Sequence, residues 1–205
     1  MDTEHAESRC GVAVARPKEF ERKEALYKAM DLFWTHGYEA TSMSDLQRCM
    51  GIGRQSLYDT FGGKREIFEE SLERYIDGVK RYSESLLGAE DGLVAVRTYF
   101  DTAIRDQTRA KPRRGCMMFA TCAELAPHDP DIQKQVRKGV AALQKRFELA
   151  LGRAQEQGAL SSKADVRSLA VFLTTQAGGI TVMSRGGASR KELQSAVDIT
   201  MSAIR

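Results

Sequence analysis

The sequence predicts an all-α chain of about nine helices, and three observations carry that expectation. Apolar residues recur at i, i+3, i+4 and i+7 over most of the chain. No segment alternates apolar and polar residues as a half-buried strand does. The periodic stretches are separated by glycine, by proline or by an acid–proline pair, the usual stop and start signals of helices.

Residues 1 to about 15 are polar, small and aperiodic, so a disordered tail is expected there. A first helix is expected from Lys18. Leu26, Met30 and Phe33 share its apolar face, and Gly37 stops it. "TSMSDLQRCMG" follows, with Ser42 as N-cap, Asp45 as the acidic side of a capping box and Gly51 as terminator. A short helix over Arg54–Phe61 ends at Gly62-Gly63. The pattern resumes at Lys64 with Ile67, Phe68, Leu72, Tyr75, Ile76 and Val79, and runs to about Ser85. Leu93 to about Ala110 carries Val96, Phe100, Ala103 and Ile104 on one face. "KPRRG" interrupts, and "CMMFATCAELA" forms a short apolar helix up to Pro127. Asp129-Pro130-Asp131 opens a long helix, because proline and acids suit a first turn; it should reach Gln157 before Gly158. Two last helices, about 165–184 and 190–204, flank "SRGGAS".

At 205 residues the chain can bury one substantial core, or two small domains sharing one. Its 42% hydrophobic and 29% charged residues suit a globular protein rather than a low-complexity one. Net charge is only +3, and residues 1–75 hold 11 Lys/Arg against 14 Asp/Glu. Any nucleic-acid binding at this end must therefore come from a local arrangement of side chains. Cys10, Cys49, Cys116 and Cys122 lack ligand spacing and there are three histidines, so no metal site is expected. No cofactor is expected either: the glycines of "GIGRQSLYDTFGGKREIF" (51–68) do not form GxxxxGK[ST] after a strand. No apolar leader and no run of eighteen apolar residues is present, so a cytoplasmic protein with reduced thiols is expected, without a membrane partner.

One helix followed by two short ones joined by a tight glycine turn is the helix-turn-helix arrangement. The second short helix must present small or polar side chains at its N-terminal end to enter a major groove about 12 Å wide. Here that end reads Arg54-Gln55-Ser56, while Leu57 and Phe61, four apart, anchor the opposite face.

"TSMSDLQRCMGIGRQSLYDTFGGKREIF" resembles the DNA-binding segment of TetR-family transcriptional regulators. The matching positions are Thr41-Ser42, Leu46, Gly51-Ile52, Leu57-Tyr58, Phe61, Lys64 and Ile67, and "FWTHGYEATS" upstream fits the same pattern. The likeness covers about residues 18–68. It implies a helix-turn-helix domain over residues 16–63 and a helical ligand-binding and dimerisation domain over residues 64–205. The implied partners are double-stranded operator DNA, a small-molecule effector of unknown identity and a second copy of the chain. The implied activity is that of a ligand-responsive repressor, not an enzyme.

Carried over by position, the resemblance implies DNA contacts by Thr41 and Ser42, and phosphate contacts by Ser42, Tyr58 and Lys64. Arg54, Gln55, Ser56 and Thr60 would lie at or near base edges, and Arg16 and Lys18 would follow the backbone just before the first helix. Two positions depart from the pattern. Gly53 stands where a capping serine is usual, and Asp59 lies inside the reading helix, tolerable only facing sideways or accepting from a cytosine amine.

In the C-terminal part the last two helices carry apolar stripes, Leu169, Leu173 and Ile180, then Leu193, Val197 and Ile204. These are the expected dimer surface, as a four-helix interface. Met-rich Cys116-Met117-Met118-Phe119, with Phe100, Ile104, Phe172 and Gln176, marks a candidate ligand pocket, since flexible thioethers suit an adaptable cavity. Cys116 follows Arg113-Arg114-Gly115 at a helix start, where positive charge and the helix dipole would lower a thiol pKa. With Cys122 nearby, that raises two alternatives. One is a thiol- or electrophile-sensing regulator. The other is a helical enzyme with Cys116 as nucleophile and His128 as base, which has no third orienting residue.

Overall fold

The structure is a computed structural model that describes the backbone of residues 16–204 and side chains from residue 21. The tail expected over residues 1–15 lies outside the described residues, as does Cys10. Among the described residues there are nine helices and no strand: α1 (Arg16–His36), α2 (Met43–Met50), α3 (Arg54–Phe61), α4 (Lys64–Leu87), α5 (Gly92–Arg109), α6 (Met117–Glu124), α7 (Pro130–Glu156), α8 (Val166–Arg185) and α9 (Arg190–Ala203).

The starts and stops are chemical. Ser42 Oγ accepts from Asp45 N at 3.1 Å and the Asp45 carboxylate accepts from Ser42 N, a complete capping box. Ser189 and Glu192 repeat the device on α9. Asp91, Asp129 and Asp165 accept from the first free N–H groups of α5, α7 and α8, and Pro130 occupies the first turn of α7. Gly51 ends α2 at φ 73°, a left-handed conformation that favours glycine.

Two buried clusters organise the helices. The first joins Leu26, Ala29 and Phe33 of α1 to Leu46 and Met50 of α2 and to Leu57 and Phe61 of α3. It continues into the first half of α4 through Ile67, Phe68 and Leu72, and on to Met117, Met118, Ile132 and Val136 of α6 and α7. The second packs Val96, Phe100 and Ile104 against Leu143, Phe147 and Leu151, with α8 and α9 closing it. Phe147 is fully buried, stacks on Phe100 at 5.7 Å and meets Tyr99 edge-on at 5.0 Å. At the crossing of α5 and α7, a Cβ on Gly92 would lie 2.1 Å from Ala150 O, so no larger residue fits that approach.

The stripes expected to face a partner are corrected here. Leu173, Ile180, Leu193, Val197 and Ile204 are buried in this chain's own second cluster, and Leu169 packs against it. A protomer buries its most apolar stripe first, because every side chain of that stripe gains by leaving water. The faces left outward on α8 and α9 are Val171, Val182 and Met183, and Ile199, which is 69% exposed.

Candidate nucleic-acid interface and seam cavity

The reading helix is built from two anchors. Leu57 and Phe61 are buried in the first cluster, and the burial of each contributes roughly 1.5–3 kcal/mol. Fixing those two positions turns Arg54, Gln55, Ser56, Tyr58, Asp59 and Thr60 to solvent. Gly53 caps the helix without a side-chain bond. Asp59 faces sideways: Gln55 Nε2 donates to its Oδ1 at 2.9 Å, one helical turn away. The Arg54 guanidinium stands over the Tyr58 ring at 6.0 Å. Behind the helix, Arg22 covers the Phe61 ring at 4.6 Å and forks onto both Glu70 oxygens at 2.6 and 2.8 Å, tying α1 to α4.

The flanking positions divide. Ser42 is exposed at the start of α2. Lys64 begins α4 with its ammonium 4.2 Å from the centre of the Tyr38 ring and 3.5 Å from Glu39 O. Thr41 is turned inward instead: it is 1% exposed and its hydroxyl donates to Gly37 O at 2.7 Å. The Thr-Ser pair thus splits into a residue that closes the turn and a residue that caps α2, and Thr41 has no free donor for DNA. Arg16 and Lys18 fall in the first turn of α1 rather than before it, and their side chains lie outside the described ones.

Polar bonds and an edge-on ring pair join this head to the rest of the chain. Arg65, at the start of α4, donates to both carboxylate oxygens of Asp129 and to Glu69. These bonds raise the pKa of the guanidinium and hold the Asp129 carboxyl down at about 2. Glu39 N donates to Glu124 Oε1 at 3.0 Å. Trp34 of α1 donates from Nε1 to Gly115 O at 3.1 Å and meets the Tyr75 ring edge-on at 4.9 Å. Arg114 covers the Trp34 ring at 4.1 Å while pairing with Asp31.

Beside Trp34 lies a cavity of about 360 Å³. Of the residues singled out from the sequence, Cys116, Met118 and Phe119 line it. Phe100, Ile104 and Met117 do not; they are fully buried core, because their apolar bulk is spent filling the two clusters. Phe172 packs on the second cluster from α8, and Gln176 is half-buried on the same helix, off the cavity wall. The lining that sequence reading missed is aromatic: Tyr27, Trp34, Tyr75, Tyr82 and Tyr99, with Gln107. A signal for part of it was present, since Tyr75, Val79 and Tyr82 form a second stripe at helical spacing on α4.

The activated thiol is also corrected. Burial pushes the Cys116 pKa up, against smaller opposing effects from hydrogen bonds with Tyr75 and the backbone at Phe119 and Met118. The two arginines expected to lower it are held elsewhere, Arg113 by Ala188 O at 2.7 Å and Arg114 by Asp31 and Trp34. Cys122 is pushed up by burial as well. His128 is exposed in the turn before α7. Among the described residues no group of three or more His, Cys, Asp or Glu is placed to hold a metal, and no helix is long and apolar enough to cross a membrane.

Two family models match the chain. "Bacterial regulatory proteins, tetR family" covers residues 25–71, and "Tetracyclin repressor-like, C-terminal domain" covers residues 92–200. The chain is 33% identical over 196 residues to the uncharacterized HTH-type transcriptional regulator YezE of Bacillus subtilis (strain 168), covering 93% of this chain and 100% of the relative. It is 35% identical over 188 residues to the HTH-type transcriptional repressor ComR of Escherichia coli (strain K12), covering 91% and 90%. Among solved structures, a cysteine variant of the TetR family transcriptional regulator CifR, complexed with 26-base-pair double-strand operator DNA, superposes with a TM-score of 0.81. It is 28% identical, with 90% of this chain and 97% of that one covered. Two matched family models and relatives spanning nine-tenths of the chain lead to one conclusion: the chain belongs to the TetR family of bacterial transcriptional regulators.

Proposed function

We propose that this chain is a cytoplasmic, homodimeric repressor that binds double-stranded operator DNA and is released from it by a small molecule. The observation that carries the reading is the outward face of α3, with Arg54, Gln55 and Ser56 exposed at its N-terminal end over two buried anchors. Arg54 suits the O6/N7 edge of guanine and Gln55 suits adenine. Asp59 positions the Gln55 amide, because a carboxylate only accepts and therefore fixes which end of the amide turns away. Ser56 and Thr60 lie near base edges, while Ser42, Tyr58 and Lys64 meet phosphates and set register.

Residues 16–63 form the reading head and residues 64–205 the body, with the first half of α4 serving both cores. Two heads must span successive major grooves, about 34–36 Å apart, so a second copy is required. Its docking face is the outward one of α8 and α9, through Val171, Val182, Met183 and Ile199. The effector enters the seam cavity.

The test is an electrophoretic shift on the DNA upstream of the protein's own gene. Binding should fall steeply as salt rises, because phosphate contacts release counterions. Absence of binding to any fragment at low salt would overturn the reading.

A further inference from the structure

We propose that the seam cavity takes an uncharged, planar aromatic molecule of one or two rings bearing a hydroxyl group, and that Trp34 relays its presence to the reading head. The inference deepens the ligand-responsive reading and rests on it for its consequence at DNA, though not for binding itself.

Size and walls set the scaffold. About 360 Å³ corresponds to roughly a dozen water volumes of about 30 Å³ each, the space of a one- or two-ring molecule. Rings from four helices line it: Trp34, Tyr75, Tyr82, Tyr99 and Phe119. They stand edge to face, Trp34 against Tyr75 at 69° and Tyr82 against Tyr99 at 66°. Walls with that orientation accept a flat π-system offset or edge-on.

The polar groups set the substituent. Gln107 Nε2 donates to Thr181 Oγ1 at 3.2 Å, while its Oε1 is buried without a partner. Arg74 Nε, on the same wall, is likewise buried and unpaired. An orphan buried amide oxygen is costly, so it marks where a ligand donor belongs. A hydroxyl both donates and accepts, and satisfies that amide whichever way it is turned.

Charge excludes the alternatives. Arg74, stacked on Tyr27 at 3.7 Å, lines the wall with Arg81, opposing a cation. Asp106 on the same wall is already satisfied, accepting from Tyr82 Oη at 3.4 Å and from Arg105 Nε at 3.1 Å, so the discrimination against a carboxylate falls to Gln107. A carboxylate would leave Gln107 Oε1 without a donor. The Cys116 thiol lies on the same wall, but a hydroxylated aromatic offers it no electrophilic carbon, so binding is non-covalent.

The relay follows from position. Trp34 is the chain's single tryptophan and belongs to α1, the helix on which α2 and α3 pack. Two of its contacts with the body, the hydrogen bond to Gly115 O and the edge-on Tyr75 ring, border the cavity. A ring wedged there changes the Trp34–Tyr75 contact, and with it the angle of the head. The ligand then favours whichever head spacing it fits better.

The test titrates the full chain by calorimetry with 2-naphthol, 2-methoxynaphthalene, 2-naphthoate and 2-naphthylmethylammonium. We expect one 2-naphthol per chain, bound at least tenfold more tightly than either charged probe. Gln107→Leu should weaken 2-naphthol about tenfold and leave 2-methoxynaphthalene within twofold, the effect of one hydrogen bond. Ala103→Phe, which fills the cavity from α5, should abolish binding while the circular dichroism melt stays cooperative. Preference for a charged probe, indifference to Gln107→Leu, binding that survives Ala103→Phe, or no binding of any probe would each overturn the ligand class. Release is read separately, by anisotropy of labelled upstream DNA. Binding of 2-naphthol without release would overturn the ligand-responsive reading and leave the ligand class standing. Trp34→Phe should bind 2-naphthol yet need at least fivefold more of it for release, and unchanged release would overturn the relay.

Discussion

The reading head and the α8–α9 end of the body are both helical and both carry a surface that we propose meets another macromolecule, yet they differ in how that surface is specified. In α3 every apolar anchor points in and every polar side chain points out, so one periodic stripe fixes both faces. In α8 both faces are apolar. Leu173, Ala177 and Ile180 point into the core while Val171, Val182 and Met183 point to solvent. A helix that faces DNA declares its orientation in the sequence; a helix packed on both sides offers two answers.

The difference can be broken by mutation, and the core stripes come first. Phe147→Ala empties a fully buried site against two rings, Tyr99 and Phe100, and should cost about 3–5 kcal/mol in urea unfolding. Leu57→Ala in the head should cost about 2–5 kcal/mol. Because the first cluster threads α4, α6 and α7 as well as the head, both variants should still unfold in one transition. A separate early transition for Leu57→Ala would show the head to be independent.

The outward face comes next. Ile199→Asp places a charge on the most exposed large apolar side chain among the described residues, leaving the core untouched. Sedimentation should show monomers with an unchanged melt per chain, and operator affinity should fall about 10²–10⁴-fold as the second half-site is lost. A stable dimer with Ile199→Asp would move the interface elsewhere.

These variants bear on what could be read in the sequence. The nine helices of the described residues, the Ser42–Asp45 capping box and the α3 anchors were legible, because caps and 3.6-residue periodicity act over a few neighbouring residues. Thr41 was misread, since a motif position does not say whether a hydroxyl bonds DNA or its own turn; here it bonds Gly37 O. Cys116 was misread because Arg113 and Arg114 adjoin it in sequence while their guanidiniums reach Ala188 and Asp31, one of them across 83 positions. The cavity was legible only in part: Cys116, Met118 and Phe119 line it, while Phe100, Ile104 and Met117 fill the cores. Its tyrosines and tryptophan come from helices far apart in sequence and meet only when α1 and α5 dock on α4.

At the reading surface the expected effects are smaller. Arg54→Ala should cost about 1–3 kcal/mol at one operator position and relax the base preference there, seen by binding selection on randomised sites. Lys64→Ala should weaken all sequences alike and reduce the salt slope by about one. If Lys64→Ala instead changed base preference, its assignment to a phosphate would fail.

The smallest expected effect tests the join between the two regions. Asp129 accepts from Arg65 at the start of α4 and from the first N–H groups of α7, and these bonds hold its carboxyl down at about 2, below the ordinary 3.8. A depressed carboxyl contributes stability that is fully present above the unfolded value and is lost as pH falls through the folded one. Asp129→Asn keeps an N-capping oxygen but removes the charge facing Arg65. The gap in melting temperature between the natural chain and this variant should therefore be constant above pH ~4 and close between pH ~4 and ~2. Asp45, Glu66, Asp165 and Glu192 are also held low, by their caps, so the natural chain alone loses stability over the same range and only the difference isolates Asp129. A gap that stays open at pH 2 would mean that Asp129 acts through its cap alone, and that the Arg65 bond does nothing to hold head and body together.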